Sequence, residues 1–219
     1  MLPLRLFTFL VVALCASAAA EPADKWEAEI AQLEARDRAH PPRIGGTVFA
    51  GSSSIRLWDL KKSFPDLDAV NVGFGGSTIA DCTRYAPRLI LPWKPNRIVF
   101  YSGDNDLFSG LAPEKVAADF KTFAATIHAA LPACRIVVIG IKPSQSRWKL
   151  WPKAIEANRL IRAHCEADEK KRLHFVDIAP TLLGPDGHPR PELFRDDRLH
   201  LNDAGYEAWT KALEPILRG

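Results

Sequence analysis

Cysteine is scarce in this chain: four residues in 219. One of them, Cys15, falls in the first twenty positions. The other three, Cys82, Cys134 and Cys165, are odd in number and irregularly spaced, which excludes a disulfide framework and a zinc site. They read as buried structural thiols, and if one bridge forms, the spacing does not choose the pair. A surplus of one charge is also missing, since 29 Lys and Arg against 26 Asp and Glu leave a formal +3. The tight basic clusters, Lys61-Lys62 and Lys170-Lys171-Arg172, fit solvated helix ends, so nucleic acid is not an expected partner. After residue 20 no run approaches the roughly 20 apolar residues that a membrane span needs. There is no internal repeat, low-complexity tract or linker. Neither the dinucleotide fingerprint nor a calcium-loop spacing occurs, and no metal is expected.

The first twenty residues have a different character. Arg5, an apolar run over 6–14 and then Ala16-Ser17-Ala18-Ala19-Ala20 read as a secretory signal cleaved before Glu21. The run is too short to span a bilayer, and the bulky Leu14 before Cys15 argues against a lipid anchor there. The expectation is an exported protein, periplasmic or extracellular, in which residues 21–219 form one domain. An apolar content of 47% and a charged content of 25% are those of an ordinary globular protein. The sequence does not specify an oligomeric state.

Residues 24–39 read as an amphipathic helix with Trp26, Ile30 and Leu33 on one face, ended by Pro41-Pro42. Strands are expected at 47–50, 69–72, 97–102, 135–141 and 173–178. Helices are expected at 55–62, 78–91, 114–131, 153–169 and 203–217. Val99-Phe100-Tyr101 and Ile136-Val137-Val138-Ile139 are nearly continuous apolar runs, as in strands covered on both faces of a parallel sheet. The alternation predicts one three-layer α/β/α sandwich. Ligands bind outside the carboxyl ends of the strands in such sheets. Four strands end in residues with chemical potential: Gly51-Ser52-Ser53, Gly73 to Gly76, Gly103-Asp104-Asn105 and Lys142-Pro143-Ser144.

Ser53 stands where a strand turns into a helix, and any of Ser52, Ser53 and Ser54 suits a helix cap equally well. Asp197 and His200, three residues apart near the other end, change that balance. A serine hydroxyl, an imidazole base and a carboxylate that orients it are the minimum kit for acyl transfer. Asp196 is a rival carboxylate. Asn71-Val72-Gly73-Phe74-Gly75-Gly76 brings backbone N–H groups close to a ligand, and the Asn105 amide is a donor for a developing oxyanion. Asn105 also suits an Asx-turn, and Asp104 with Asp106 is a weak divalent-cation pattern. Asn202 or Asp203 suits the cap of the last helix. Trp148 and Trp151, with Arg147, lie after the fourth strand and suit an apolar or sugar-stacking wall or, equally, ordinary packing. His40, His128, His164, His174 and His188 lack a comparable carboxylate and read as structural or solvated.

Taken together, these blocks resemble the SGNH (GDSL-type) hydrolase superfamily. Gly51-Ser52-Ser53 aligns with Gly-Asp-Ser, which makes Ser53 the nucleophile. Gly76 aligns with the glycine that supplies an oxyanion amide, Asn105 with the oxyanion-hole asparagine, and Asp197-x-x-His200 with the Asp/His block. The resemblance spans residues 47–217. Asn71-x-Gly73-x-Gly75-Gly76 is similar to the subgroup of platelet-activating-factor acetylhydrolase catalytic subunits. Ser52 departs from the usual Asp. The resemblance implies a flavodoxin-like five-stranded sheet ordered 2-1-3-4-5, an oxyanion hole of the Ser53 and Gly76 amides with Asn105, and cofactor-free hydrolysis of a small-molecule or glycan ester.

Overall fold

Every apolar run expected to be a strand is one; four of the helical patterns fall between two strands, one precedes the first strand and one follows the last. The computed structural model describes residues 25–40 and 43–218; the expected leader, Asp24 and the Pro41-Pro42 stop lie outside these. In chain order the elements are α1 (Glu27–Ala39), β1 (Thr47–Gly51), α2 (Ser53–Arg56), α3 (Leu60–Ser63), β2 (Ala69–Asn71), α4 (Ile79–Leu89) and β3 (Arg97–Tyr101). Then follow α5 (Asp104–Phe108), α6 (Pro113–Ala130), β4 (Arg135–Ile139), α7 (Trp151–Glu166), β5 (Leu173–Val176), α8 (Ala179–Leu182) and α9 (Asp203–Arg218). The strands form one five-stranded sheet in the order β2-β1-β3-β4-β5, with every neighbouring pair parallel.

The apolar runs are explained by the two faces they serve. Val48, Ala50, Ile98, Phe100, Ile136 and Val138 point into a core shared with α1, α4, α6 and α7. Their neighbours Phe49, Val99, Tyr101, Val137 and Ile139 point into a second core with α2, α3, α8 and α9. Side chains alternate across a strand, so burial on both faces needs an unbroken apolar run. Cys82, Cys134 and Cys165 are buried and free. Ile30 is buried, with Trp26 and Leu33 packed on the same core, as the N-terminal helix pattern predicts.

One expected helix is divided. Residues 55–62 hold two short helices, because the chain turns at Leu57–Asp59 to bury Trp58, and Asp59 caps the second by accepting the Lys62 N–H at 3.1 Å. Two further short helices, α5 and α8, were not anticipated from the sequence. The strand order reverses direction between β1 and β3. That switch point is where an open α/β sheet leaves a crevice, and Gly51-Ser52-Ser53 and Gly103-Asp104-Asn105 leave the sheet on either side of it.

Candidate active site

Gly51 ends β1 at φ +137°, and a Cβ there would lie 1.9 Å from the Tyr101 carbonyl oxygen of β3. Only glycine lets the chain pass this close to its neighbour and turn at once into α2. Ser52 occupies the cap position of α2 without making a side-chain cap bond. Ser53 begins the helix, and its Oγ lies 2.8 Å from His200 Nε2, across 147 residues of chain. The capping interpretation of these serines therefore fails.

His200 Nδ1 lies 2.6 Å from Asp197 Oδ2. The other carboxylate oxygen, Oδ1, accepts the backbone N–H groups of Leu199 and His200, both at 2.9 Å. Partial burial opposes ionisation of Asp197, but the ring and backbone hydrogen bonds from His200 and that from Leu199 outweigh it and hold the carboxyl at about 2. The His200 ring is thus presented by a turn that Asp197 itself closes, with Arg198 at φ +54°. Asn202, not Asp203, caps α9 by accepting the Gly205 N–H at 3.1 Å; Asp203 pairs with Lys62.

Asn71 glues the next block to the serine turn. Its side-chain amide donates to the Ile55 carbonyl at 2.6 Å and the Trp58 carbonyl at 3.2 Å, while its oxygen accepts the Gly73 N–H at 3.0 Å. Gly76 follows at φ +69°, exposed, with open space where a side chain would begin. From the start of α1, the Trp26 indole just before the helix donates to the Gly75 carbonyl at 2.8 Å, and the Glu29 carboxylate accepts the Gly75 N–H at 3.3 Å. Gly75, the residue before Gly76, is therefore held at both its N–H and its carbonyl.

Asn105 sits in the first turn of α5. Its Nδ2 donates to the Ser77 carbonyl at 3.0 Å and its Oδ1 accepts from Arg147 Nη2 at 2.9 Å. Asp104 faces Lys142 Nζ at 3.3 Å and Arg147 Nη1 at 3.1 Å, and Lys142 also donates to the Tyr101 hydroxyl at 3.1 Å. Burial opposes ionisation of Asp104; Lys142 and Arg147 overcome it and keep the carboxyl below the usual range. Asp106 is buried and accepts the Ile79 N–H at 3.0 Å. Asp104 and Asp106 thus serve separate partners, and the described residues contain no group of three or more His, Cys, Asp or Glu arranged to hold a metal.

Trp148 and Trp151 stack with ring centres 6.2 Å apart and planes 15° from parallel. His188 extends this row, its ring 5.1 Å from Trp148, while its side chain stays exposed, as the solvated reading expects. The loop before Trp148 is tied to the Asp197–His200 turn, where Ser146 N–H donates to the Arg198 carbonyl at 3.1 Å, and to the residue after His188, where Gln145 donates to the Pro189 carbonyl at 3.1 Å. Of the two rival carboxylates, Asp197 and not Asp196 is the one hydrogen-bonded to the His200 ring. The Asp104–Lys142–Arg147 cluster was missed in the sequence, where its one signal was a lysine directly after an apolar strand.

Residues 51–208 match the model of the GDSL-like lipase/acylhydrolase family, and the chain belongs to that family. It is accordingly an ester-bond hydrolase with the SGNH fold. Solved structures similar to it include a candidate platelet activating factor from Streptococcus pneumonia, at 19% identity and TM-score 0.78, covering 88% of this chain and 93% of that one. A GDSL-like lipase from Bacteroides thetaiotaomicron matches at 15% identity and TM-score 0.73, covering 87% and 98%. An acetylxylan esterase from Geobacillus stearothermophilus matches at 14% identity and TM-score 0.63, covering 80% and 95%. At such identities the likeness is one of fold. No curated protein matches the sequence.

Proposed function

We propose that this chain is an exported serine esterase that cleaves a small-acyl, acetyl-type ester or a lysophospholipid-like substrate through an acyl-enzyme. The observation that carries the reading is the unbroken relay from Asp197 through His200 to Ser53, at 2.6 and 2.8 Å. Ser53 Oγ attacks the ester carbonyl while His200 Nε2 takes its proton; Asp197 holds the ring and stabilises the imidazolium. The oxyanion receives the N–H groups of Ser53 and Gly76 and one N–H of Asn105. As the intermediate collapses the ester C–O bond breaks, and the alcohol leaves with the proton from His200. Water, deprotonated by His200, then attacks the acyl carbon; the acid departs and Ser53 regains its proton.

The small acyl group is supported by the described residues containing no large apolar insertion over the site, and by the acetylxylan esterase among the structures of like fold. Ser53→Ala should abolish turnover of p-nitrophenyl acetate while leaving the circular dichroism spectrum unchanged. Wild-type rates in that variant would rule the assignment out. A non-catalytic binding module, which Ser52 in place of the usual Asp would suit, fails to label with a fluorophosphonate; the esterase labels at Ser53. Export rests on residues 1–20 and predicts a mature N-terminus at Glu21, checked by mass spectrometry of secreted protein.

A second reading, an O-acetylesterase or acyltransferase on cell-wall or extracellular glycans, is favoured by the Trp151–Trp148–His188 row, since flat rings present an apolar face to a pyranose. Under it, Trp148→Ala raises KM for acetylated oligosaccharides and leaves p-nitrophenyl acetate hydrolysis unaffected.

A further inference from the structure

We propose that Arg147 is a positioning residue for the ester hydrolysis: it fixes which end of the Asn105 side-chain amide faces the reacting carbonyl. This rests on the reading of Asn105 as an oxyanion donor. The two ends of an asparagine amide have nearly the same size but opposite chemistry, one a double acceptor and the other a double donor. A half-turn of the amide would aim its oxygen at the oxyanion and turn stabilisation into repulsion. Packing cannot choose between the two states. Hydrogen-bond partners can.

Arg147 only donates, so Oδ1 must face it, at 2.9 Å. The Ser77 carbonyl only accepts, so Nδ2 must face it, at 3.0 Å. Together they occupy the oxygen and one N–H, which leaves the second N–H for the oxyanion. Of the two partners Arg147 contributes the charged bond, the stronger kind. Its guanidinium is itself fixed. Asp104 Oδ2 lies 3.1 Å from Nη1, the Phe108 ring lies 4.6 Å beneath the guanidinium carbon, and the side chain is only 13% exposed, so water competes poorly for it. Lys142 holds the same Asp104 oxygen from the sheet side and reaches the Tyr101 hydroxyl. The next residue back, Ser146, is bonded to Arg198 in the Asp197–His200 turn. The loop of Arg147 therefore sets the oxyanion donor while anchored to the base.

The test is a double-mutant cycle on kcat for p-nitrophenyl acetate with Arg147→Ala, Asn105→Ala and both together. Arg147→Ala is expected to lower kcat about 10- to 100-fold with little change in KM. In the Asn105→Ala background it should have almost no further effect, because the group it orients is gone. Added guanidinium ion at millimolar concentration should restore part of the activity of Arg147→Ala and none of the double variant. An Arg147→Ala loss of the same factor in both backgrounds, or an unchanged kcat, overturns the proposal. If Asn105→Ala itself keeps wild-type kcat, the oxyanion reading of Asn105 fails first, and the two failures are told apart. Should Arg147→Ala not fold, Arg147→Lys takes its place in the cycle: it keeps a charge opposite Asp104 without the two-pronged geometry. Additivity with Asn105→Ala again overturns the proposal.

Discussion

Asp197 and Asp106 flank one site, yet their surroundings drive them in opposite directions. Burial opposes the charge of Asp197, but hydrogen bonds from His200 and Leu199 outweigh it and lower its carboxyl from the ordinary 3.8 to about 2. Its stabilising contribution is therefore complete above 3.8 and lost as pH falls through about 2. Asp197→Asn removes that dependence and leaves the imidazole without its anion; kcat should fall on the order of 10⁴-fold. The fall in melting temperature on acidification should be shallower than in the wild type over this window. Asp106 is raised to about 6 by burial, which the Ile79 N–H only partly offsets, and its Oδ2 has no partner. Its contribution is complete below 3.8 and is lost as pH rises through about 6. That loss amounts to ~3 kcal/mol in full. Asp106→Asn cannot ionise, so urea denaturation should show it gaining stability relative to the wild type between pH 4 and pH 7, whatever constant cost the new amide brings.

Turns that place the chemistry behave differently from the elements they join. Gly51 carries both a left-handed φ and a backbone contact that no side chain survives. Gly51→Ala must push β1 away from β3 just where Ser53 is aimed. A loss of more than about 3 kcal/mol in urea unfolding, with kcat falling in whatever remains folded, is expected. The strands were legible in the sequence because parallel strands buried on both faces write continuous apolar runs. The Asp197–His200 pair was legible because one turn holds both. The short helices α5 and α8 were not: four or five residues complete barely one turn and leave no periodic signal. Nor was the Arg147–Asn105 bond, whose partners stand 42 residues apart. The divided helix at Leu57–Asp59 reflects a tertiary choice, burial of Trp58, overriding a pattern that reads as one helix.

At the scale of the whole molecule the difficulty is that Ser53 and His200, the proposed nucleophile and base, come from positions 147 residues apart in the chain. Ser53 leaves β1, whereas His200 precedes α9, and each must be held to a fraction of an ångström of the other. The second core performs this coupling. Trp58, just after the serine turn, packs with ring centres 5.5 Å from Tyr206 and 5.4 Å from Trp209 of α9. Tyr206 adds a directional bond: its hydroxyl donates to the Ser54 carbonyl at 2.9 Å, 152 residues away. Tyr206→Phe keeps the ring and its stacking while leaving that buried carbonyl without its donor, a cost of ~1–3 kcal/mol. If the bond merely stabilised the fold, kcat of the folded fraction would not change. If it also registers α9 against the serine turn, kcat should drop several-fold at temperatures well below the melting point. Fluorophosphonate labelling, which reads Ser53 activation by His200, should slow by the same factor. We expect the second result, because the Ser54 peptide directly follows the nucleophile and α9 begins three residues after the base.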